Sequence, residues 1–211
     1  MTTFTPLTET TKQILTTIVS SNKLHAKWLN TLSFLENCGA RKIAACEHPT
    51  LVKEEMLKHA AEEFRHAHHL KRQIEKVSSD PIETYSMNSM LGATATLHYL
   101  AALDLKASRY LKKAGLSKSA LKEAAYLLVT YAIELRAEEL YPIYDEVLRI
   151  QGSKVAVKSI LLEEKEHLHE MKEGLKSLPS GFMHAEYICK IEETLCKKWL
   201  EAITREIFTS R

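Results

Sequence analysis

Two stretches of the chain pair a glutamate with a histidine three residues further on. The first, KHAAEEFRHAHHLKRQ, contains Glu63 and His66, and the second, SILLEEKEHLHEMKEGL, contains Glu164 and His167. Residues three apart in an α-helix point to the same side, so each pair can offer a carboxylate oxygen and an imidazole nitrogen to one ion. The spacing therefore predicts a metal site built by two helices.

Single glutamates on two further helical segments are the next candidates. Glu36 falls in the middle of an apolar stripe along its helix. The stretch YAIELRAEELYPIY offers Glu134, Glu138 and Glu139. Glu138 lies about as far before the QGS turn as Glu164 lies after it, whereas the facing of the apolar side favours Glu134. We expect Glu134 to be the ligand, with Glu138 as second choice or additional ligand and Glu139 third.

Other titratable residues near these candidates have simpler roles. His59 lies one helical turn before Glu63 on the same face. It is either a packed core histidine or a donor that orients a metal ligand by a hydrogen bond. The two tyrosines that flank the glutamate stretch, Tyr131 and Tyr141, are expected to pack rather than to react.

A group of buried carboxylates needs positive charge. Burying one carboxylate without a partner costs several kcal/mol, and three helices each bury at least one. Protons, arginines or a metal could compensate. A buried ion-pair network would use Arg65 or Lys165, and Glu36 could instead pair with Arg41 or Lys42 at a helix end. The repeated Glu-x-x-His pattern favours the metal.

The segments that must position these residues are long helices, because the chain has only 6 Gly and 5 Pro. Seven are predicted, or six if the first runs into the second. Their approximate bounds are 8–20, 22–46, 51–77, 86–114, 118–150 (starting after Ser117 or Ser119), 154–178 and 184–208.

Short breaks separate these helices. Pro49 should end the second helix and Thr50 cap the third, and Pro142 should kink the fifth. No low-complexity linker interrupts the chain. We therefore predict a single domain over 1–211, with the metal-binding helices in about 22–178 and a C-terminal helix over about 184–208.

Composition limits the partners. The chain has 29 basic and 27 acidic residues, a net charge of +2, which gives no electrostatic support for nucleic-acid binding. No apolar run approaches the roughly 20 residues that span a bilayer. A polar first stretch and unpaired cysteines favour a cytoplasmic location with free thiols. These cysteines are Cys38, Cys46, Cys189 and Cys196.

The order of the candidate ligands resembles the ferritin-like di-iron carboxylate superfamily. Its pattern is a lone Glu, a Glu-x-x-His, a long crossover, a second lone Glu and a second Glu-x-x-His. In this chain the corresponding residues are Glu36, Glu63 with His66, Glu134 or Glu138, and Glu164 with His167. The resemblance covers about 22–178. It implies an all-α, four-helix bundle with a crossover helix and additional terminal helices, binding two Fe ions or a Mn/Fe pair.

The resemblance also implies an activity. We expect an O2-activating oxidase or oxygenase that acts on a small organic substrate and takes electrons from an external donor. The alternatives are a ferroxidase, iron-storage or peroxide-detoxifying rubrerythrin-like protein, and a non-catalytic helical interaction module. The oligomeric state is left open, with a homodimer as one alternative. A rubredoxin-type cysteine site has no counterpart, because the sequence contains no C-x-x-C pair.

Overall fold

The structure is a computed structural model, and it describes residues 6–48 and 50–209. These residues form seven α-helices, with short 3-10 turns at Ile74–Lys76 and Met87–Ser89 and no strand. The all-α prediction is confirmed. The helices are α1 (Thr8–Val19), α2 (Asn22–Cys46), α3 (Glu54–Gln73), α4 (Ala93–Lys113), α5 (Lys118–Ile150), α6 (Lys158–Ser177) and α7 (Gly181–Thr209).

The helices pack in neighbouring pairs. α2 lies against α3 and α5 against α6, and each pair is joined by a short loop. α4, in the long connection between the two pairs, packs on α7 and α5. α1 rests on α5, where the backbone N–H of Leu7 donates to Glu139 and Lys12 pairs with Glu146. Four helices, α2, α3, α5 and α6, thus carry all the predicted ligands.

Local chemistry explains where two of these helices begin. The side chain of Ser21 accepts a hydrogen bond from the backbone N–H of Leu24 at the start of α2. Ser117 does the same for Ala120 at the start of α5. Both hydroxyls satisfy an N–H group that has no partner within its helix.

Several predicted boundaries differ from the structure, and α3 runs from Glu54 to Gln73 rather than over 51–77. α4 begins at Ala93 rather than near 86, because Gly92 has a φ of +73° and a helix cannot run through that conformation. α6 begins at Lys158, and α7 begins at Gly181, before the predicted 184. The cap predicted at Thr50 is wrong, since Lys53 holds the N-cap position of α3. Pro49 lies outside the described residues.

The apolar core has two parts. One surrounds Trp28, Tyr144 and Trp199, and the other is built mainly from α4, α5, α6 and α7. Ile133 and Leu195 pack against both parts. In the described residues, no helix is long and apolar enough to cross a membrane.

Candidate metal centre

Four helices bring their glutamates and histidines to one place. Two groups form, each with four potential ligand atoms within 4.8 Å of one another, and either could hold a metal ion. Glu63 belongs to both groups. All members are buried except Glu36, which is half-buried. One group is His59, Glu63, Glu134 and His167, and the other is Glu36, Glu63, His66 and Glu164.

The fifth-helix alternatives separate clearly. Glu134 is 3% exposed and lies 3.2 Å from Nε2 of His59. Glu138, only one turn further along α5, is exposed and belongs to neither group. Glu139 turns away to accept a hydrogen bond from Leu7. The structure therefore brings Glu134, and not Glu138, to the cluster.

His59 lies among the candidate ligands, rather than behind one of them as a hydrogen-bond donor that orients it. Its Nε2 atom lies 3.5 Å from Glu63 and 3.2 Å from Glu134. Its Nδ1 atom faces the hydroxyl of Tyr126 at 3.5 Å. The ring thus points one nitrogen at two candidate ligands, so His59 is itself a potential ligand.

In each of the other two histidines, His66 and His167, the two ring nitrogens face different partners. Nε2 of His66 is 2.6 Å from Glu163, and Nε2 of His167 is 2.9 Å from Glu62. Nδ1 of His66 is 3.0 Å from Glu164. A carboxylate on Nε2 keeps the proton on that atom and leaves the Nδ1 lone pair for a metal. In both rings, the nitrogen that faces the cluster is therefore set up to coordinate.

Several buried polar atoms of the cluster lie near carboxylates but make no hydrogen bond of good geometry. They are Nδ1 of His66, Nδ1 of His167 and Oε2 of Glu134. An unsatisfied buried polar atom costs roughly 1–3 kcal/mol, and natural proteins rarely leave several together. A cation in the cluster would satisfy all of them, so the donor set fits a metal ion.

Basic side chains do not neutralise the cluster. In the described residues, the ion pairs of Glu63, Glu134 and Glu164 are all with histidines. Arg65, a candidate for a buried ionic network, instead contacts the outer carboxylates of Glu163 at 2.7 Å and Glu62 at 3.8 Å. No lysine or arginine ion pair therefore balances the inner carboxylates in this part of the chain.

The protonation of the metal-free cluster reflects this crowding. Burial, and then the charges of neighbouring carboxylates, raise the pKa of Glu36 and of Glu134 well above the ordinary value. Burial alone would lower the pKa of His167, but hydrogen bonding to Glu164 and nearby negative charge raise it to about 9. Burial opposes ionisation of Glu164 too, yet hydrogen bonds from Glu134 and the histidines hold its pKa below the ordinary range. Protons thus take the place that a cation would fill.

Two important residues were missed from sequence, Glu62 and Glu163. Each is the first glutamate of a doublet, so both motifs are E-E-x-x-H rather than E-x-x-H. The second glutamate points inward, and the first reaches across to the histidine of the other helix. The doubling was visible in both stretches and is the feature that could have revealed them.

An apolar cavity of about 100 Å³ lies against the carboxylates. Glu36, Glu63, Glu134 and Glu164 line one part of it, and the rest is mostly apolar apart from Lys42, Thr130 and Arg136. Gly39 is in the wall, and a Cβ there would lie 3.5 Å from Oε2 of Glu63. Tyr141 also lines it and donates its hydroxyl hydrogen bond to Glu36. The cluster therefore adjoins a small, largely apolar space.

Comparisons with known proteins add no relative to this picture. No protein-family model matches the chain, and no curated protein and no solved structure matches it. The chemistry of the site therefore rests on the residues and distances given above.

Proposed function

We propose that the cluster holds two metal ions and that the chain is a ferritin-like di-iron carboxylate protein. The observation that carries this proposal is the presence of two four-residue ligand groups that share Glu63. Four carboxylates and neutral imidazoles balance the charge of two divalent ions. Hard oxygen ligands with imidazole nitrogen suit iron or manganese, so the ions are two Fe or a Mn/Fe pair.

The arrangement of helices supports the same family. A lone glutamate from α2 and one from α5 join a Glu-x-x-His pair from α3 and another from α6. Inward-facing carboxylates and histidines of this kind hold the metals of di-iron and di-manganese bundles. α4 supplies the crossover, and α1 and α7 are the additional terminal helices.

We propose an O2-dependent oxidase or oxygenase acting on a small organic substrate. When bound, two irons supply reversible redox chemistry with O2. Insertion of one oxygen atom of O2 into a substrate C–H bond reduces the other atom to water, and it consumes two electrons and two protons from an external donor. The apolar cavity beside the ligands favours this activity over iron storage, which needs no space for an organic molecule.

The protein's side chains have defined tasks in this proposal. Glu62 and Glu163 keep the protons of His167 and His66 on Nε2 and so fix the rings. Tyr141 holds the carboxylate of Glu36 by a hydrogen bond. The aliphatic wall of the cavity excludes water and strengthens these interactions in a medium of low dielectric.

The test is O2 consumption by the anaerobically Fe(II)-loaded chain with a chemical reductant, followed by mass spectrometry of added small organic compounds under ¹⁸O2. We expect substrate-dependent O2 uptake and one ¹⁸O atom in the product. Glu63→Ala should abolish both, whereas Glu138→Ala should retain both. Uptake of iron far beyond two ions per chain, with no oxidised organic product, would contradict the oxygenase and point to storage.

A further inference from the structure

The inner cavity has a second, outer chamber. A pocket of about 250 Å³ opens between α2 and α4, and its lining includes Phe34, Cys38 and Asp104. The inner cavity and this outer pocket share three lining residues, Leu35, Lys42 and Leu100. These three side chains therefore lie between the outer pocket and the inner cavity, and we call the place where they meet the neck.

Lys42 gives the neck a cationic group. Its ammonium pairs with the carboxylate of Asp104, whose side chain is 42% exposed. Its Nζ atom is nevertheless buried and makes no hydrogen bond of acceptable geometry. An ammonium has three donors, so Lys42 can bind one more acceptor if a ligand brings it to the neck.

Around this cation the walls are apolar. Leu35 and Leu100 flank it, and the inner cavity continues with mostly apolar side chains toward the candidate metal-binding carboxylates. Arg136 also lines the inner cavity, but its guanidinium is paired with Glu139 and Glu192. At about 100 Å³ the inner cavity is smaller than the ~150 Å³ engineered cavity that binds benzene. It therefore accepts a short apolar segment and not a large ring system.

We propose that the two chambers form one binding site for a small organic anion with an apolar body. The anionic group binds Lys42 at the neck and takes the place of the Asp104 carboxylate. The apolar body extends into the inner cavity, toward Glu63 and the other ligands. The class is that of short aliphatic carboxylic acids.

Electrostatics sets the direction of such a ligand. A carboxylate that entered head first would meet four glutamates and an Arg136 already paired with two other carboxylates, whereas at the neck it meets the ammonium of Lys42. An alkylammonium ligand would be repelled by Lys42 on the way in. A neutral alcohol of the same length would fill the apolar space but lack the charge-assisted hydrogen bond, which is roughly twice as strong as a neutral one.

This inference deepens the proposed function, since it names the substrate class of the same site. Only the oxidation of the bound acid depends on that function. Binding of the acid can be measured without turnover, so the two ideas can fail separately.

The test is calorimetric titration of straight-chain carboxylates of four to eight carbons, and of the matching primary alcohols, into the full chain. It is run on metal-free chain and on chain loaded with Mn(II). We expect the carboxylate to bind more tightly than the alcohol in both. Lys42→Met should weaken the carboxylate on the order of 10-fold and leave the alcohol unchanged. Asp104→Asn should tighten the carboxylate, because it removes the competing anion.

Lys53→Met is the matched control, because Lys53 pairs with Glu123 on the surface, away from both chambers. It should leave every affinity unchanged. If Lys42→Met does not fold, Asp104→Asn alone decides, since a purely structural pair would not tighten ligand binding when broken. Equal affinity for acid and alcohol would overturn the inference. So would carboxylate binding that appears only with Mn(II) and is insensitive to Lys42.

Discussion

Nε2 of His167 lies 2.9 Å from Oε2 of Glu62, across the interface between α6 and α3. The reverse contact, from His66 on α3 to Glu163 on α6, has a length of 2.6 Å. Each E-E-x-x-H motif thus supplies a pair of candidate ligands and a carboxylate that contacts the histidine of the other motif. The two helices depend on each other for the tautomer of their histidines.

Loss of these outer carboxylates should weaken metal binding without removing a ligand. Outer partners of ligating histidines typically contribute 10–100-fold in metal affinity. We expect Glu62→Gln and Glu163→Gln each to weaken Fe(II) or Mn(II) binding by about that factor in a competition titration with a chelator. Glu166→Gln is the control, since Glu166 is exposed on α6 and lies 3.8 Å from Lys58. Equal affinities for all three variants would refute the orienting role.

The metal-free chain should lose stability as the pH rises. His167 has a pKa raised from 6.5 to about 9, so its contribution is complete below 6.5 and is lost as the pH rises toward 9. Glu36 and Glu134 also have raised pKa values, so losing their protons costs more in the folded chain than in the unfolded chain. Their effect therefore also lowers the stability of the fold as the pH rises. We expect the melting temperature of the metal-free chain to fall between pH 6.5 and pH 9.

Metal should reverse this trend, because ligands must be deprotonated to coordinate. The Mn(II)-loaded chain should therefore hold or gain melting temperature over the same pH range. His25 does not contribute to the trend between pH 6.5 and pH 9, because burial lowers its pKa to about 4 and its effect on the stability of the fold appears only below pH 6.5. Parallel pH profiles for the two forms, measured by calorimetry, would contradict the assignment of these residues as ligands.

Gly39 leaves space in the cavity because it has no side chain, but it makes α2 less stable than an alanine would. A glycine within a helix is less stable than alanine by roughly 0.5–1 kcal/mol, and a Cβ at Gly39 would make only an ordinary 3.5 Å contact with Glu63. We expect Gly39→Ala to raise the melting temperature of the metal-free chain by roughly 1–4 °C. Gly39→Leu should fill the cavity, keep the metals and abolish binding of apolar ligands such as xenon, measured by NMR. Undiminished xenon binding in Gly39→Leu would show that the cavity lies elsewhere.

The seven helices and the inner residues of the cluster could be predicted from sequence because they follow helical periodicity. Glu63 with His66 and Glu164 with His167 fall on apolar stripes of regular helices, and that pattern is local. Glu134 was chosen over Glu138 by the same criterion, and the cluster indeed contains Glu134. The sequence thus predicts on which side of its helix a residue lies.

Side-chain contacts between different helices could not be predicted from the sequence in this way. The reach of Glu62 to the histidine of α6 depends on how two helices pack, which periodicity does not specify. The position of His59 among the candidate ligands depends on Glu134 from α5 for the same reason. The late start of α4 followed from a positive φ at Gly92, where a Cβ would lie 2.9 Å from Oγ1 of Thr96.

A buried ionic network behind the wall of the inner cavity, to which Tyr99 and Arg136 belong, should be critical for stability. Glu192 on α7 is 0% exposed and accepts hydrogen bonds from Arg136 at 2.8 and 2.9 Å and from the hydroxyl of Tyr99. Removing one partner of such a pair leaves a buried charge and costs about 3–5 kcal/mol. Glu192→Ala should lower the free energy of unfolding by about this amount in urea denaturation. Glu186→Ala, on the exposed side of the same helix, should have no measurable effect, and equal losses in both variants would contradict this account.

The central claim is tested most directly by metal content per chain after anaerobic loading with Fe(II) and removal of loosely bound ions, measured by mass spectrometry. We predict close to two ions per chain in the wild type and in Glu138→Ala. We predict loss of both in a Glu63→Ala, Glu164→Ala double variant that stays folded by circular dichroism. A folded wild type that retains no metal, or a double variant that retains as much as the wild type, would contradict the dinuclear site.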